Sequence, residues 1–110
     1  MKAQASRTFK EVAADTKTIM NMYSQEYPEV TVDRDYYPFK VSEEWGECLQ
    51  AYLMLTDRGR QKGHTKEEIK VMLKEEMADV IGFLMLFADS EDIDLEDALE
   101  KKWFKRLPKG

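Results

Sequence analysis

The sequence predicts an all-α protein with four helices in a single domain, residues 1–110. Three features predict this fold. Apolar residues recur at three- and four-residue intervals in separate segments, polar capping residues precede some of these segments, and a polar, glycine-containing turn lies between the second and third. At 110 residues, with 43% hydrophobic and 35% charged side chains, the chain has the size and composition of one small globular domain.

The first predicted helix has one apolar face, and residues 1–7 before it are expected to fray. We expect both helix ends to be soft, because neither carries a strong cap. From residue 26 to 37 the periodicity disappears, and Pro28 and Pro38 are expected to interrupt helix on either side of this connector. The apolar face consists of Phe9, Val12, Ala13, Thr16, Ile19, Met20 and Tyr23.

The second helix is expected to start after a cap at Asp35 or Ser42 and to run to about Arg58. Residues 58–64 then read as a turn. The aromatic residues at the start of the helix could stack on a nucleotide base or simply close the end of a bundle. They are Tyr36, Tyr37 and Phe39.

Clear caps mark the third and fourth helices. Thr65 and Glu68 form a capping box before a helix that runs to about Ala88, and Asp94 precedes a fourth helix with Asp97 at its third position. The fourth helix is expected to direct an apolar set into the core: Leu95, Ala98, Leu99, Trp103, Phe104 and Leu107. Its other side is basic, with Lys101, Lys102, Lys105 and Arg106.

Two acidic pairs lie at equal distances from the turn. Glu44 and Glu47 are three residues apart, as are Glu76 and Asp79, so each pair lies on one side of its helix. At about 1.5 Å rise per residue, both pairs lie roughly 20–25 Å from the turn centre. If the two helices are antiparallel, we therefore expect the four carboxylates to meet on inward faces.

Four inward carboxylates would repel one another and be poorly hydrated, which requires raised pKa values or bound cations. An all-oxygen ligand set favours Mg²⁺, or Mn²⁺, over zinc. A di-iron bundle would need histidine ligands, and the one histidine, His64, lies in the turn. The alternative is that these acids are ordinary solvated residues in a chain with 22 acidic side chains.

Charge and cysteine content exclude several classes of function. The net charge is −5, so a nucleic acid is not an expected partner. A single cysteine, Cys48, excludes a disulfide framework and indicates a reducing compartment. No signal-type or membrane-spanning segment is evident, so we expect a cytoplasmic protein without membrane contact.

Carboxylate-held Mg²⁺ opposite basic side chains is an arrangement that holds a polyphosphate. The metal would bridge phosphate oxygens and acidify a water molecule, while Glu43 or Glu75 could accept the proton of that water. Basic side chains would neutralise the leaving pyrophosphate. Hydrolysis of a phosphoanhydride is the simplest reaction for such a site.

The motif residues also resemble a known family. Glu43-Glu44-x-x-Glu47, followed after 28 residues by Glu76-x-x-Asp79, resembles the motif of the MazG-like all-α nucleoside triphosphate pyrophosphohydrolases. The lead-in from Lys40 is similar to the Lys-x-x-Glu-Glu of that superfamily. The tail Lys102-x-x-Lys105-Arg106-x-Pro108 is similar to its Lys-x-x-Arg-Arg-His-Pro ending, with Leu107 in place of histidine.

This resemblance, over residues 39–108, implies a homodimer, possibly a tetramer, whose helices complete a four-helix bundle core across the interface. It implies Mg²⁺ held by Glu44, Glu47, Glu76 and Asp79, and cleavage of a nucleoside triphosphate to monophosphate and pyrophosphate. By position, the implied phosphate contacts are Lys102 and Arg106, with Lys40 as a weaker candidate.

Two departures narrow the expected substrate. Phe83 stands where phosphoribosyl-ATP enzymes carry histidine, and the His and Trp set of the dCTP-type branch is missing before the first acidic pair. A house-cleaning role on (deoxy)nucleoside triphosphates is therefore expected. The alternative is a non-catalytic dimeric helical adaptor or regulator, whose acids would only solubilise the bundle or pair with Lys70 and Lys74.

Overall fold

The computed structural model describes residues 6–109, which form four α-helices and a short 3₁₀ helix, with no strand in this range. The all-α prediction is therefore confirmed for this part of the chain. The helices are α1 (Phe9–Glu26), α2 (Tyr36–Leu55), α3 (Lys66–Ser90) and α4 (Leu95–Lys102), and the 3₁₀ helix is Phe104–Arg106. None of the helices in residues 6–109 is both long enough and apolar enough to cross a bilayer.

The described chain divides into two compact units. The terminal unit contains the described residues up to Thr31 and those from Met85 onward, and the central unit is Val32–Leu84. The terminal unit buries Met20, Met85, Leu86 and Ala88, whereas the central unit buries Cys48, Ala51, Met54 and Ile69. A single domain over residues 1–110 stays a prediction, and residues 1–5 of the segment expected to fray lie outside the described part.

Capping boxes begin both α1 and α3. The Thr65 N–H donates to Glu68 Oε1 at 2.8 Å and the Glu68 N–H donates back to Thr65 Oγ1 at 3.1 Å, as predicted. Thr8 and Glu11 exchange the same two bonds at 2.9 and 3.2 Å. The expectation of a soft start to α1 was therefore wrong, because this second Thr-x-x-Glu box satisfies two of the first free N–H groups of the helix.

The start of α2 differs from the prediction. Pro38 does not interrupt the helix, since α2 begins two residues earlier at Tyr36 and the N–H groups of a first turn have no intrahelical acceptor to lose. Asp35 occupies the N-cap position without a side-chain capping bond. Instead, Asp33 Oδ1 accepts from the N–H groups of Asp35 and Tyr36 at 3.1 and 3.2 Å, and Ser42 lies inside the helix.

Both α2 and α3 end next to an aspartate in the left-handed region. Asp57 and Asp92 have φ values of 60° and 55°, and in each case the next N–H reaches back to a carbonyl five residues earlier. As a result α2 ends at Leu55, before the expected Arg58, while α3 continues to Ser90. The closing bonds are 2.8 Å long in both helices: Arg58 to Leu53, and Ile93 to Ala88.

The fourth helix is shorter and more exposed than predicted. Asp94 caps it through a 3.0 Å bond from the Asp97 N–H, as expected. However, α4 ends at Lys102, so its apolar spacing does not extend into the following 3₁₀ turn. Leu95 and Leu99 are half-buried, but the other four residues predicted to enter the core are exposed: Ala98, Trp103, Phe104 and Leu107.

Removal of the Thr65 hydroxyl tests the α3 capping box. We expect Thr65→Ala to lower the free energy of unfolding by about 1 kcal/mol, because the Glu68 N–H loses its acceptor. Thr65→Ser keeps the hydroxyl and should stay within about 0.5 kcal/mol of the parent. Urea denaturation measures both, and equal stability of the two variants would show that the box does not stabilise α3.

Candidate metal centre

Contacts at both ends of the central unit show that α2 and α3 run antiparallel. At the start of α2, the Tyr36 ring lies 6.3 Å from the Phe83 ring of α3. At the end of α2, Lys66 Nζ from the first turn of α3 donates to the Leu55 carbonyl at 2.8 Å. Residues equally far from the turn therefore lie at the same level on the two helices.

Five carboxylates lie together at that level. Oxygens of Glu43, Glu44 and Glu47 lie within 4.8 Å of one another, and so do oxygens of Glu44, Glu76 and Asp79. Glu44 belongs to both groups. We call the first set the α2 group and the second the bridging group, because the second joins the two helices. The structure thus brings together the four residues predicted as metal ligands and adds Glu43 to them.

Burial differs sharply among these side chains. Glu44 is only 7% exposed, and among the residues that the structure describes it is the one charged residue that is buried. Glu76 is half-buried, whereas Glu47 and Asp79 are exposed. The expectation of four inward carboxylates was therefore wrong for the last two. Two residues three positions apart differ in direction by about 60° around the helix. Glu47 and Asp79 are therefore turned from the helix–helix contact toward solvent, relative to Glu44 and Glu76.

Two buried oxygens of the cluster have no hydrogen-bond partner: Oε2 of Glu44 and Oε2 of Glu76. The pKa of Glu76 is raised to about 7, chiefly by desolvation and then by the adjoining carboxyls of Glu47 and Glu44. Desolvation is also the main cause of the raised pKa of Glu44, followed by Glu47. Buried acceptors without donors, next to further carboxylates, are groups that could hold a metal cation.

Lys40 supplies the cluster with a positive charge from within α2. Its Nζ donates to Glu43 Oε1 and lies 3.5 Å from Glu44 Oε1. Desolvation lowers the pKa of Lys40, but the hydrogen bond and charge of Glu43, together with Tyr36 and Glu44, outweigh it and the pKa is raised. Within residues 6–109 the cluster pairs with this lysine rather than with Lys70 or Lys74 of α3.

Aromatic rings line one side of the cluster. Lys40 Nζ lies over the Phe83 ring, 5.4 Å from its centre, and the Tyr36 and Tyr37 rings meet edge to face at 5.9 Å. Both tyrosines are half-buried, in keeping with a closing role, whereas Phe39 is 71% exposed. Sequence reasoning missed Phe83 as a contact of Lys40, since only the antiparallel pairing brings α3 to this position.

The remaining predicted site residues belong to neither carboxylate group. Glu75 is exposed and belongs to neither group. Lys102 and Arg106 belong to the terminal unit, where they are exposed and line a depression of about 330 Å³ together with Trp103 and Leu107. Their role as phosphate contacts stays a prediction.

A bacterial relative shares most of its length with this chain. The chain is 37% identical over 73 residues to the uncharacterized protein YvdC of Bacillus subtilis (strain 168), an alignment that spans 60% of this chain and 69% of the relative. The chain belongs to the YvdC family. No family model matches it, and no solved structure matches it either.

Membership of the YvdC family assigns no reaction, because the name of the relative states no ligand, substrate or partner. Function in this member has to be inferred from the carboxylate cluster itself. The strongest feature of that cluster is its excess of negative charge, with five carboxylates against the ammonium of Lys40. The uptake of protons and the binding of cations by the cluster can both be measured.

The pH dependence of stability tests the charge of the cluster. Because the pKa of Glu76 is about 7 in the folded protein, above the ordinary value of 4.5, the folded state binds more protons between these values. Metal-free protein should therefore be most stable near pH 5 and lose stability as the pH rises through about 7. Thermal unfolding in the presence of a chelator measures this loss.

Glu76→Gln should flatten that pH profile, because the amide stays neutral. Glu67→Gln, on the exposed first turn of α3, serves as the matched control and should leave the profile unchanged. A wild-type profile that is level from pH 5 to 8 would show that Glu76 is already ionised at the lower pH.

Proposed function

We propose that this chain is a Mg²⁺-dependent nucleoside triphosphate pyrophosphohydrolase that yields a monophosphate and pyrophosphate. The observation that carries the proposal is the unpartnered, buried Oε2 of Glu44 inside a ring of carboxylates on two antiparallel helices. The resemblance of the motif residues to the MazG-like superfamily, which implies metal ligands at the same positions, also supports the proposal. Together they favour a house-cleaning enzyme acting on (deoxy)nucleoside triphosphates.

The proposed metal ligands are Glu44, Glu47, Glu76 and Asp79. Their oxygens are the ligand type that Mg²⁺ and Mn²⁺ prefer. When bound, such a cation supplies positive charge for phosphate oxygens and lowers the pKa of water. The exposed side chains, Glu47 and Asp79, face solvent, which leaves the cluster accessible to a triphosphate.

In the proposed reaction a water oxygen bonds to the α-phosphorus as the bond to the α,β-bridging oxygen breaks. Pyrophosphate departs, and Glu43 accepts the proton of the water. Glu43 is favoured over Glu75 because its carboxylate lies within 4.8 Å of those of Glu44 and Glu47, whereas Glu75 belongs to neither group. Lys40 is the proposed phosphate contact within the central unit and would offset the negative charge of the leaving group. Phosphate contacts by Lys102 and Arg106 are implied by the resemblance alone.

Substitution of the proposed ligands tests the reaction. We expect Glu47→Gln and Asp79→Asn each to reduce pyrophosphate release from mixed dNTPs by at least about 100-fold, since even partners outside the ligand set change metal-site activity by 10–100-fold. Both variants should stay folded, and in chelator their melting temperatures should be equal to or above the parent value, because repulsion is relieved.

Glu67→Gln is again the control, with unchanged activity expected. Full activity in both ligand variants would show that the ligands are misassigned. Absence of pyrophosphate from wild-type protein with any nucleotide, modified bases included, would overturn the enzyme proposal and favour a non-catalytic adaptor.

The proposed homodimer is supported by apolar stripes on the outer faces of the central unit. On α2 the stripe contains Trp45, Leu49, Tyr52 and Leu53, each 42–51% exposed. On α3 it contains Val71, Met77, Ile81 and Leu84, each 36–55% exposed. These positions lie opposite the carboxylates on each helix. Pairing two copies through them would bury both stripes and complete a four-helix bundle.

Charge placed within the α3 stripe tests this interface. We expect Ile81→Glu to convert the dimer to a monomer, because the carboxylate would have to be desolvated between two apolar surfaces. Met22→Glu alters a similarly exposed methionine on α1, 63% exposed, and should leave the assembly unchanged. Light scattering after size exclusion gives the mass and separates dimer from tetramer. A monomeric wild-type chain would refute the dimer.

A further inference from the structure

Lys40 occupies a position in the cluster that a cation could otherwise take. Its ammonium donates to Glu43 and lies 3.5 Å from Glu44 Oε1, while the aromatic face of Phe83 covers it at 5.4 Å. It is also the one basic residue in the α2 sequence. The ammonium therefore neutralises charge locally, on the α2 side of the cluster.

The two carboxylate groups differ in what they offer to a cation. In the α2 group, Glu43 and one oxygen of Glu44 already face the Lys40 ammonium. In the bridging group, Oε2 of Glu44, which is 7% exposed as a residue, and Oε2 of Glu76 have no partner. The ammonium thus lies beside Glu43 and Glu44 Oε1, whereas Glu44 Oε2 and Glu76 Oε2 are left without a hydrogen-bond partner.

We propose that Lys40 is an internal counter-cation that keeps the α2 group closed to a second divalent ion, so that metal first enters the bridging group alone. This inference rests on the proposed metal centre and extends it. A second ion can enter the α2 group only after the ammonium leaves Glu43 and Glu44, because two cations cannot share these oxygens without repulsion.

Entry of a second ion into the α2 group therefore requires displacement of the Lys40 ammonium. The released ammonium keeps its flexible four-carbon stem and can turn toward phosphate oxygens. An anionic polyphosphate would assist the exchange by supplying a new partner for the ammonium. Without substrate, the wild-type chain should therefore bind one metal ion over a range of metal concentrations. Over the same range, a variant without the Lys40 ammonium should bind two.

The test counts bound Mn²⁺ by electron paramagnetic resonance of the free ion, with the full-length chain and no nucleotide. Wild-type protein should bind one ion in the sub-millimolar range and Lys40→Met two, with the second ion bound at least about tenfold more tightly than in wild type. Lys40→Arg keeps the positive charge and should bind one. Lys74→Met, which removes an equal charge from an exposed position on α3, is the control for net charge.

Thermal unfolding provides a second readout that does not involve activity. In chelator, the melting temperature of Lys40→Met should be below that of wild type, because Glu43 and Glu44 lose their counter-charge. Addition of Mn²⁺ should raise the melting temperature of Lys40→Met by more than it raises that of wild type. Lys40→Gln is measured in parallel, so that a folding failure of one variant leaves the other to decide.

Equal Mn²⁺ counts and affinities in wild type, Lys40→Met and Lys40→Gln would overturn the role of Lys40 while leaving the metal centre intact. The same gain in Lys74→Met would overturn it as well, by showing a general charge effect. Absence of Mn²⁺ binding in every variant would overturn both this inference and the proposed metal centre.

Discussion

The central unit depends on the close approach of α2 and α3 at a level where both helices carry acids. Packing the two helices buries Glu44 and half-buries Glu76, and this desolvation raises the pKa of both carboxyls. A pair of neutral or apolar side chains would pack there without such a penalty. The folded structure thus holds negative charge in a place where protons or cations are needed to stabilise it.

Several local features keep the two acidic pairs at the same level. The Thr65 capping box sets the start of α3, and the left-handed Asp57 sets the end of α2. Lys66 then joins the two helix ends through the carbonyl of Leu55. A shift by one residue along either helix would turn Glu44 or Asp79 by about 100° and separate the carboxylates. The geometry of the cluster therefore depends on the turn as much as on the acids themselves.

The two faces of this helix pair have different character. Carboxylates, Lys40 and aromatic rings gather at the contact and its edge, while the opposite faces present apolar side chains to solvent. A hydrolase that assembles as a homodimer would use both: the first face for a metal and a triphosphate, the second for a partner copy. The similarity to YvdC shows a family but assigns no reaction. Any function of this protein therefore has to follow from the chemistry of the first face.

The sequence predicted the helical content and the helix caps at Thr65 and Asp94, because helical spacing and capping are local properties. It also predicted that the two acidic pairs meet when the chain reverses at the turn between α2 and α3. The capping box at Thr8 was equally local and was overlooked. Tertiary structure alone decided which acids are buried, because exposure depends on the angle at which α3 approaches α2. It also decided that Lys40 lies over Phe83, 43 positions away in the chain, since contacts between helices follow from packing rather than from spacing along either one.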